Sequence, residues 1–107
     1  MTPLTKSPNM ICDFDRLDSV IVNLARRFPA SVLADVCGRR GGLHGRIAPL
    51  SPSMRLAGTA LTVETRPGDN LMIHAALDMA HPGDVPVVDG KGDLGSALMG
   101  EIMTRQA

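Results

Sequence analysis

The chain has 107 residues, 44% of them hydrophobic, and its eleven basic side chains balance eleven acidic ones. That length makes one domain, able to bury roughly two-thirds of the surface its unfolded form exposes, and the neutral balance excludes the strong field that draws nucleic acid or an anionic membrane. With Phe14 and Phe28 the only aromatics, the core has to be assembled from Leu, Ile, Val, Met and Ala.

Cys12 and Cys37 form no metal-spaced pair, and two thiols in a chain of this size read as reduced side chains of a cytoplasmic protein. Before Cys12 there is one lysine, two prolines and no long apolar run, so the start reads neither as a signal peptide nor as an anchor. No segment reaches the roughly 18 apolar residues of a membrane span.

In chain order, Met1–Cys12 reads as a flexible N-terminal arm ahead of a domain over 13–107. Phe14, Leu17, Val20, Ile21, Leu24, Ala25 and Phe28 recur at helical spacing; Asp13 is placed to cap that helix, Arg26 and Arg27 to complement its C-terminal dipole, and Pro29 to stop it. A shorter helix is expected from near Ser31, with Val32, Leu33, Val36 and Cys37 inward and Gly38 as its left-handed stop. The glycine-rich, basic stretch through Arg39, Arg40, Gly41, Gly42 and Arg46 reads as a solvated loop, or as a subunit contact or guanidinium near an anion.

Leu56–Thr65 alternates as a strand, Leu61 and Val63 on one face and Thr62 and Glu64 on the other. Asp69 or Asn70 caps a third helix with Met72, Ile73, Ala76, Leu77 and Ala80 on its apolar face, ended by His81, Pro82 and Gly83. Val85–Asp89 is expected as a parallel strand reached by a right-handed crossover, with Pro86 demanding an edge, a bulge or a late start. Gly90, Gly92 and Gly95 make a turn, Leu94–Leu98 reads as a short strand, and a last helix begins near Gly100. An α/β pattern that stops in mid-stride at Ala107 reads as the front part of a longer domain.

Chemistry is sparse. His74 and Asp78 share a helix face but make only two of the three or more ligands a metal needs, and His44 and His81 fall in expected turns, so the residues alone assign no metal site. Ser96 lacks the G-x-S-x-G elbow, and Lys91 precedes the glycines rather than following them as a phosphate loop requires. What remains is the helix start at Gly100–Met103. Its free N–H groups and positive dipole end suit a carboxylate or phosphate. The structural alternative is that Gly100 permits a tight turn and Glu101 complements the dipole.

Several stretches in combination resemble one family: SVLADVCGRRGG, RLAGTALTV, PGDN, VVDGKGD and GEIM, in this order with compatible gaps. The chain resembles the RraA-like proteins, among them 4-hydroxy-4-methyl-2-oxoglutarate aldolases and regulators of ribonuclease E activity. The resemblance implies an α/β/β/α domain, here its first half to two-thirds, that assembles as a trimer or hexamer with sites between subunits. It implies a lyase of the class II pyruvate aldolase type that uses a divalent cation, magnesium or manganese, cleaves a 2-keto acid to pyruvate and decarboxylates oxaloacetate. Carried over by position, the backbone amides of Gly100, Glu101, Ile102 and Met103 hold the substrate carboxylate, and Glu101 orders water or relays a proton as the catalytic residue. The family's metal-binding Asp and the neighbouring Arg belong to a Gly-x-x-Arg-Asp motif after the next strand, which no residue here matches. A non-catalytic regulator that docks on a ribonuclease or helicase, and a non-functional piece that associates through exposed apolar faces, remain as alternatives.

Overall fold

A computed structural model describes residues 10–107. Residues 1–9, most of the expected arm, lie outside the described residues. The elements run α1 (Ser19–Ala25), α2 (Ala30–Val36), β1 (Thr59–Glu64), α3 (Leu71–Met79), β2 (Asp84–Asp89) and α4 (Glu101–Gln106). This is a small mixed α/β architecture with a parallel two-stranded sheet, as the alternation and helical periods anticipate. The chain divides into two compact units, Leu17–Thr59 and the remainder, residues 10–16 with Ala60–Ala107.

In the second of these, β1 and β2 pair side by side and α3 connects them. Leu61 and Val63 point inward from β1 while Thr62 and Glu64 face out, the period-2 alternation of a half-buried strand. Ile73 and Ala76 of α3 and Met103 of α4 complete the buried cluster, with Phe14, Met72, Leu77, Met79, Ala80, Val88 and Leu98 packed around it. Each such large apolar side chain contributes about 1.5–3 kcal/mol when fully removed from water. Ala75, absent from the expected apolar face, is buried as well.

Pro86 lies inside β2, which runs from Asp84 without a late start. A two-stranded sheet leaves both strands as edges, so a missing N–H is tolerated, and Pro86 is an exposed position of the strand. Ahead of the sheet, the Arg16 guanidinium grips Asp84 in a fork, Nε to Oδ1 at 3.1 Å and Nη2 to Oδ2 at 2.8 Å, and stacks 4.1 Å over the centre of the Phe14 ring. The Asp84 side chain is 3% exposed and also accepts the His81 N–H at 2.8 Å.

Two of the sequence expectations that fail do so in physically legible ways. The first helix does not begin after Asp13: residues 13–18 are not helical, and Asp18 is the true cap, its Oδ1 accepting the Val20 N–H at 2.9 Å. Leu94–Leu98 forms no strand; Leu94 is exposed, and the Asp93 carboxylate draws the Gly95 N–H into a turn at 2.8 Å.

In the unit Leu17–Thr59, α2 follows Pro29 directly and ends as expected, but Val32, Leu33, Val36 and Cys37, expected to face inward, are exposed. The Arg39 N–H reaches the Ala34 carbonyl at 2.7 Å and the Gly38 N–H the Asp35 carbonyl at 3.1 Å, with Gly38 at φ 75°. This is a Schellman stop, which needs a left-handed residue where Gly38 stands. The Arg26 guanidinium donates to the Ala57 carbonyl at 3.1 Å, and Thr59 Oγ1 accepts the Leu17 N–H at 3.0 Å.

Candidate functional site

In parallel α/β sheets ligands collect beyond the carboxyl ends of the strands, because loops fan out there. Here those ends are bound tightly to each other. The Asp89 carbonyl accepts both the Thr65 N–H at 3.1 Å and the Thr65 hydroxyl at 3.0 Å, which accounts for the burial of a polar Thr65. The Asp89 carboxylate in turn accepts the Lys91 N–H at 2.9 Å and the Lys91 ammonium at 3.1 Å, and the same ammonium stands 3.3 Å from Glu64. The Lys91 amide, then its ammonium, hold the Asp89 carboxyl below the usual carboxylate range, and Asp89 in turn raises the Lys91 ammonium. Lys91 clasps the two strand ends together from a left-handed backbone, φ 61°, with Gly92 following at φ 70°.

From this clasp the glycine-rich loop runs to α4. A Cβ on Gly90 would meet Leu98 at 3.1 Å, and one on Gly68 would meet the Ser96 hydroxyl at 3.2 Å, so the loop lies closely against both glycines. Gly68 belongs to a tight turn closed by the Asp69 N–H on the Arg66 carbonyl at 3.0 Å. Pro67 and a positive-φ Gly68 stand at its centre, the pairing a type II turn selects. At the far end of the same segment, the Asn70 side chain reaches Met103 Sδ at 3.7 Å. Segment 66–70 therefore touches the loop and the first turn of α4 at two separate points.

Gly100 is the N-cap of α4, in an extended conformation and with no side chain to bond the first amides. Of the expected carboxylate-binding residues, Ile102 is 85% exposed, and Met103 is 6% exposed with its side chain in the core, which leaves only its backbone for a ligand. Glu101 is exposed and pairs with Arg105 one turn on, at 2.9 Å. Thr104 hydrogen-bonds the Gly100 carbonyl through its hydroxyl at 2.9 Å, fixing the turn.

Beside the strand ends is a cleft of about 700 Å³ lined by Glu64, Arg66, Pro67, Asp69, Leu71 and Lys91, among others. Among the described residues no three His, Cys, Asp or Glu side chains converge as metal ligands. His74 and Asp78 gain no third ligand among the described residues; the Asp78 carboxylate accepts from Gln106 at 3.1 Å. No helix among the described residues is long and apolar enough to cross a membrane.

Comparison with known proteins places the chain in a family. A family model described as RraA-like, Aldolase/RraA, matches residues 10–107. The chain belongs to the RraA-like family. It is 35% identical over 82 residues, 77% of its length, to a Halalkalibacterium halodurans protein named "Putative 4-hydroxy-4-methyl-2-oxoglutarate aldolase". The match covers 39% of that relative, so the chain spans well under half the length of the curated protein it resembles. No solved structure matches it significantly.

Sequence reasoning about this RraA-like chain missed the Arg16–Asp84 fork and the Lys91 clasp. Arg16 and Asp84 are 68 residues apart, and nothing in their spacing announces the pair. Lys91 was legible in part: an Asp two residues before a Lys, within a glycine turn that ends a strand, is a local pattern that lets a side chain fold back on its own strand end.

Proposed function

We propose that this chain supplies the carboxylate-binding side of a keto-acid lyase, one that cleaves 4-hydroxy-4-methyl-2-oxoglutarate to two pyruvates and decarboxylates oxaloacetate as a side activity. The observation that carries this reading is the helix start at Gly100, extended and without a capping side chain, at the end of the glycine loop of an RraA-like chain. Amides left free at such a start hold the carboxylate next to the keto group.

In the cleavage the bond between C3 and C4 breaks. The C4 hydroxyl gives up its proton, C4 becomes the keto carbon of one pyruvate, and the electron pair stays on C3 as an enolate that takes up a proton to give the second. Oxaloacetate reaches the same enolate by losing carbon dioxide. Backbone amides fixed in advance favour charge that develops on the keto acid. Glu101 is the group we assign to order water or relay the proton.

A divalent cation, magnesium or manganese, supplies stabilisation of the enolate oxygen in this reading. The described residues do not make a ligand set for it, and none of the roles assigned to them is routed through it. The working protein is proposed as a cytoplasmic homo-oligomer, a trimer or hexamer. Its support is the resemblance to the family, together with the exposure of Leu17, Val20, Ile21, Leu24 and Val36, each about half exposed or more.

Titrating the full chain with pyruvate or oxalate in the presence of magnesium, and following amide shifts by NMR, is the direct check: Gly100, Glu101, Ile102 and Met103 should move first. Oxaloacetate decarboxylation should depend on added magnesium or manganese and fall about a hundredfold in Glu101→Ala, the size of a lost proton-transfer group. Unmoved amides, or a rate indifferent to that substitution, would sink the corresponding assignment.

A further inference from the structure

Residues 10–16 alternate in burial at every position. Met10, Cys12, Phe14 and Arg16 are partly buried, while Ile11, Asp13 and Asp15 are exposed. That is the period of an extended chain lying with one face against its unit. Yet the segment forms no strand, and among the described residues no backbone hydrogen bond joins it to β1. Side chains hold it instead: Phe14 packs against the buried cluster, and Arg16, stacked on Phe14, closes the fork on Asp84.

The segment borders an open edge of the sheet. A cavity of about 120 Å³ is lined by Met10 and Ile11, by residues 61–64 of β1, and by Met72, Ala76 and Met79 of α3. Four consecutive residues of β1 and none of β2 contribute, so the cavity follows the side of β1 that has no partner strand. From there the segment reaches Asp84, the first residue of β2, and therefore runs against the strand direction toward the amino end of the sheet. An unpaired strand edge is a template for a further strand, so what covers it matters. The catch is set locally: Asp84 also accepts the His81 N–H at 2.8 Å, which fixes the carboxylate three residues from its donor whether or not Arg16 is seated.

We propose that residues 10–16 are a latched strap, held beside the open edge of β1 by the Arg16–Asp84 fork, and that breaking the fork lets the segment leave as a unit and uncover that edge. The fork is the control point because it is the segment's one ion pair among the described residues. Without it only the inward faces of Met10, Cys12 and Phe14 remain, with no ladder of backbone bonds to keep them in place.

The chain's two thiols report on this device. Cys12 lies on the inward face of the strap, and Cys37 is exposed in the other unit. Alkylation of the full chain with iodoacetamide, followed by digestion and mass spectrometry, should modify Cys37 rapidly and Cys12 slowly. The Cys12 rate should stay nearly flat in urea up to the foot of the unfolding transition, because a local opening exposes little surface. Arg16→Gln and Asp84→Asn should each raise the Cys12 rate about tenfold, the worth of a charge-assisted pair, and leave Cys37 within about twofold. Both substitutions together should add no more than about twofold to either alone, since they break the same contact. Arg16→Lys, which keeps the charge but not the fork, should fall between wild type and Arg16→Gln. A Cys12 rate unchanged by Arg16→Gln overturns the latch. A wild-type rate that climbs with urea in step with global unfolding overturns the strap, and this measurement decides alone if the variants do not fold.

Discussion

The two units of this chain have similar residue types at their disposal and use them differently. Every buried residue of the described chain, Leu61, Val63, Thr65, Ile73, Ala75, Ala76 and Met103, belongs to the unit that contains the sheet, and none lies in Leu17–Thr59. Their charges differ as well: Leu17–Thr59 carries six arginines against two aspartates, whereas residues 10–16 and 60–107 carry nine acids against four bases. The neutral total of the sequence conceals this. A β-α-β arrangement removes apolar side chains from water because strand and helix present matching faces, while two seven-residue helices offer too little facing surface to bury anything within their own unit.

The largest expected effect tests that contrast directly. Ile73→Ala, at a side chain 2% exposed, should cost about 2–5 kcal/mol by urea unfolding, the range for an aliphatic side chain deleted from a core. A cost below about 1 kcal/mol would mean that the cluster around β1 and α3 does not hold the fold together.

A smaller effect comes from the Arg16–Asp84 fork; among the described residues, Leu17–Thr59 has no ion pair to match it. The Arg16 hydrogen bonds pull the Asp84 carboxyl below its usual range in the folded state. Stability from the pair is therefore fully present above the unfolded value, about pH 4, and is lost as the pH falls through the lower folded value. Asp84→Asn should destabilise the protein at pH 7, and its difference from wild type should shrink as the pH falls below about 4. Unfolding midpoints that stay equally far apart across that window would show that the carboxylate charge is not what matters.

These pairs also mark how far a sequence can be read. β1 and α3 were legible because their apolar residues keep the strand or helix period over six to nine positions, β2 as a valine-rich run after a helix stop, and Gly38 because a helix stop has a local signature. The start of α1 was not, for a reason of competition. Phe14 and Leu17 keep helical spacing, yet Arg16 is drawn to Asp84 and the Leu17 N–H to Thr59, and such distant partners outweigh a local period. The candidate site divides in the same way. The Gly100 helix start was visible as a local pattern, whereas the Lys91 clasp on the strand ends also needs Glu64, 27 positions away, to be seen.

Glycine substitutions sharpen the comparison at a finer scale. Gly68 and Gly41 both have positive φ, 74° and 83°, so alanine is strained at either by about 1 kcal/mol or more. Only Gly68 also faces a neighbour, the Ser96 hydroxyl 3.2 Å from where a Cβ would sit, while Gly41 faces open space. Gly68→Ala should thus be the costlier of the two by thermal melting. It should also shift the NMR signals of the Ser96 loop, which Gly41→Ala should leave in place.

The smallest expected effect is also the one that speaks to what covers the basic unit. Leu50 is 95% exposed, so Leu50→Ser should change stability by no more than about 0.5 kcal/mol if the side chain meets only water in the native protein. Should the proposed oligomer bury this region instead, the same substitution would remove an apolar contact between subunits. The loss would then appear as a concentration-dependent melting temperature and a smaller particle by light scattering, because association adds to stability by mass action. One variant measured at two protein concentrations separates the cases: a cost that is small and independent of concentration places Leu50 in water, and a cost that grows on dilution places it in an interface.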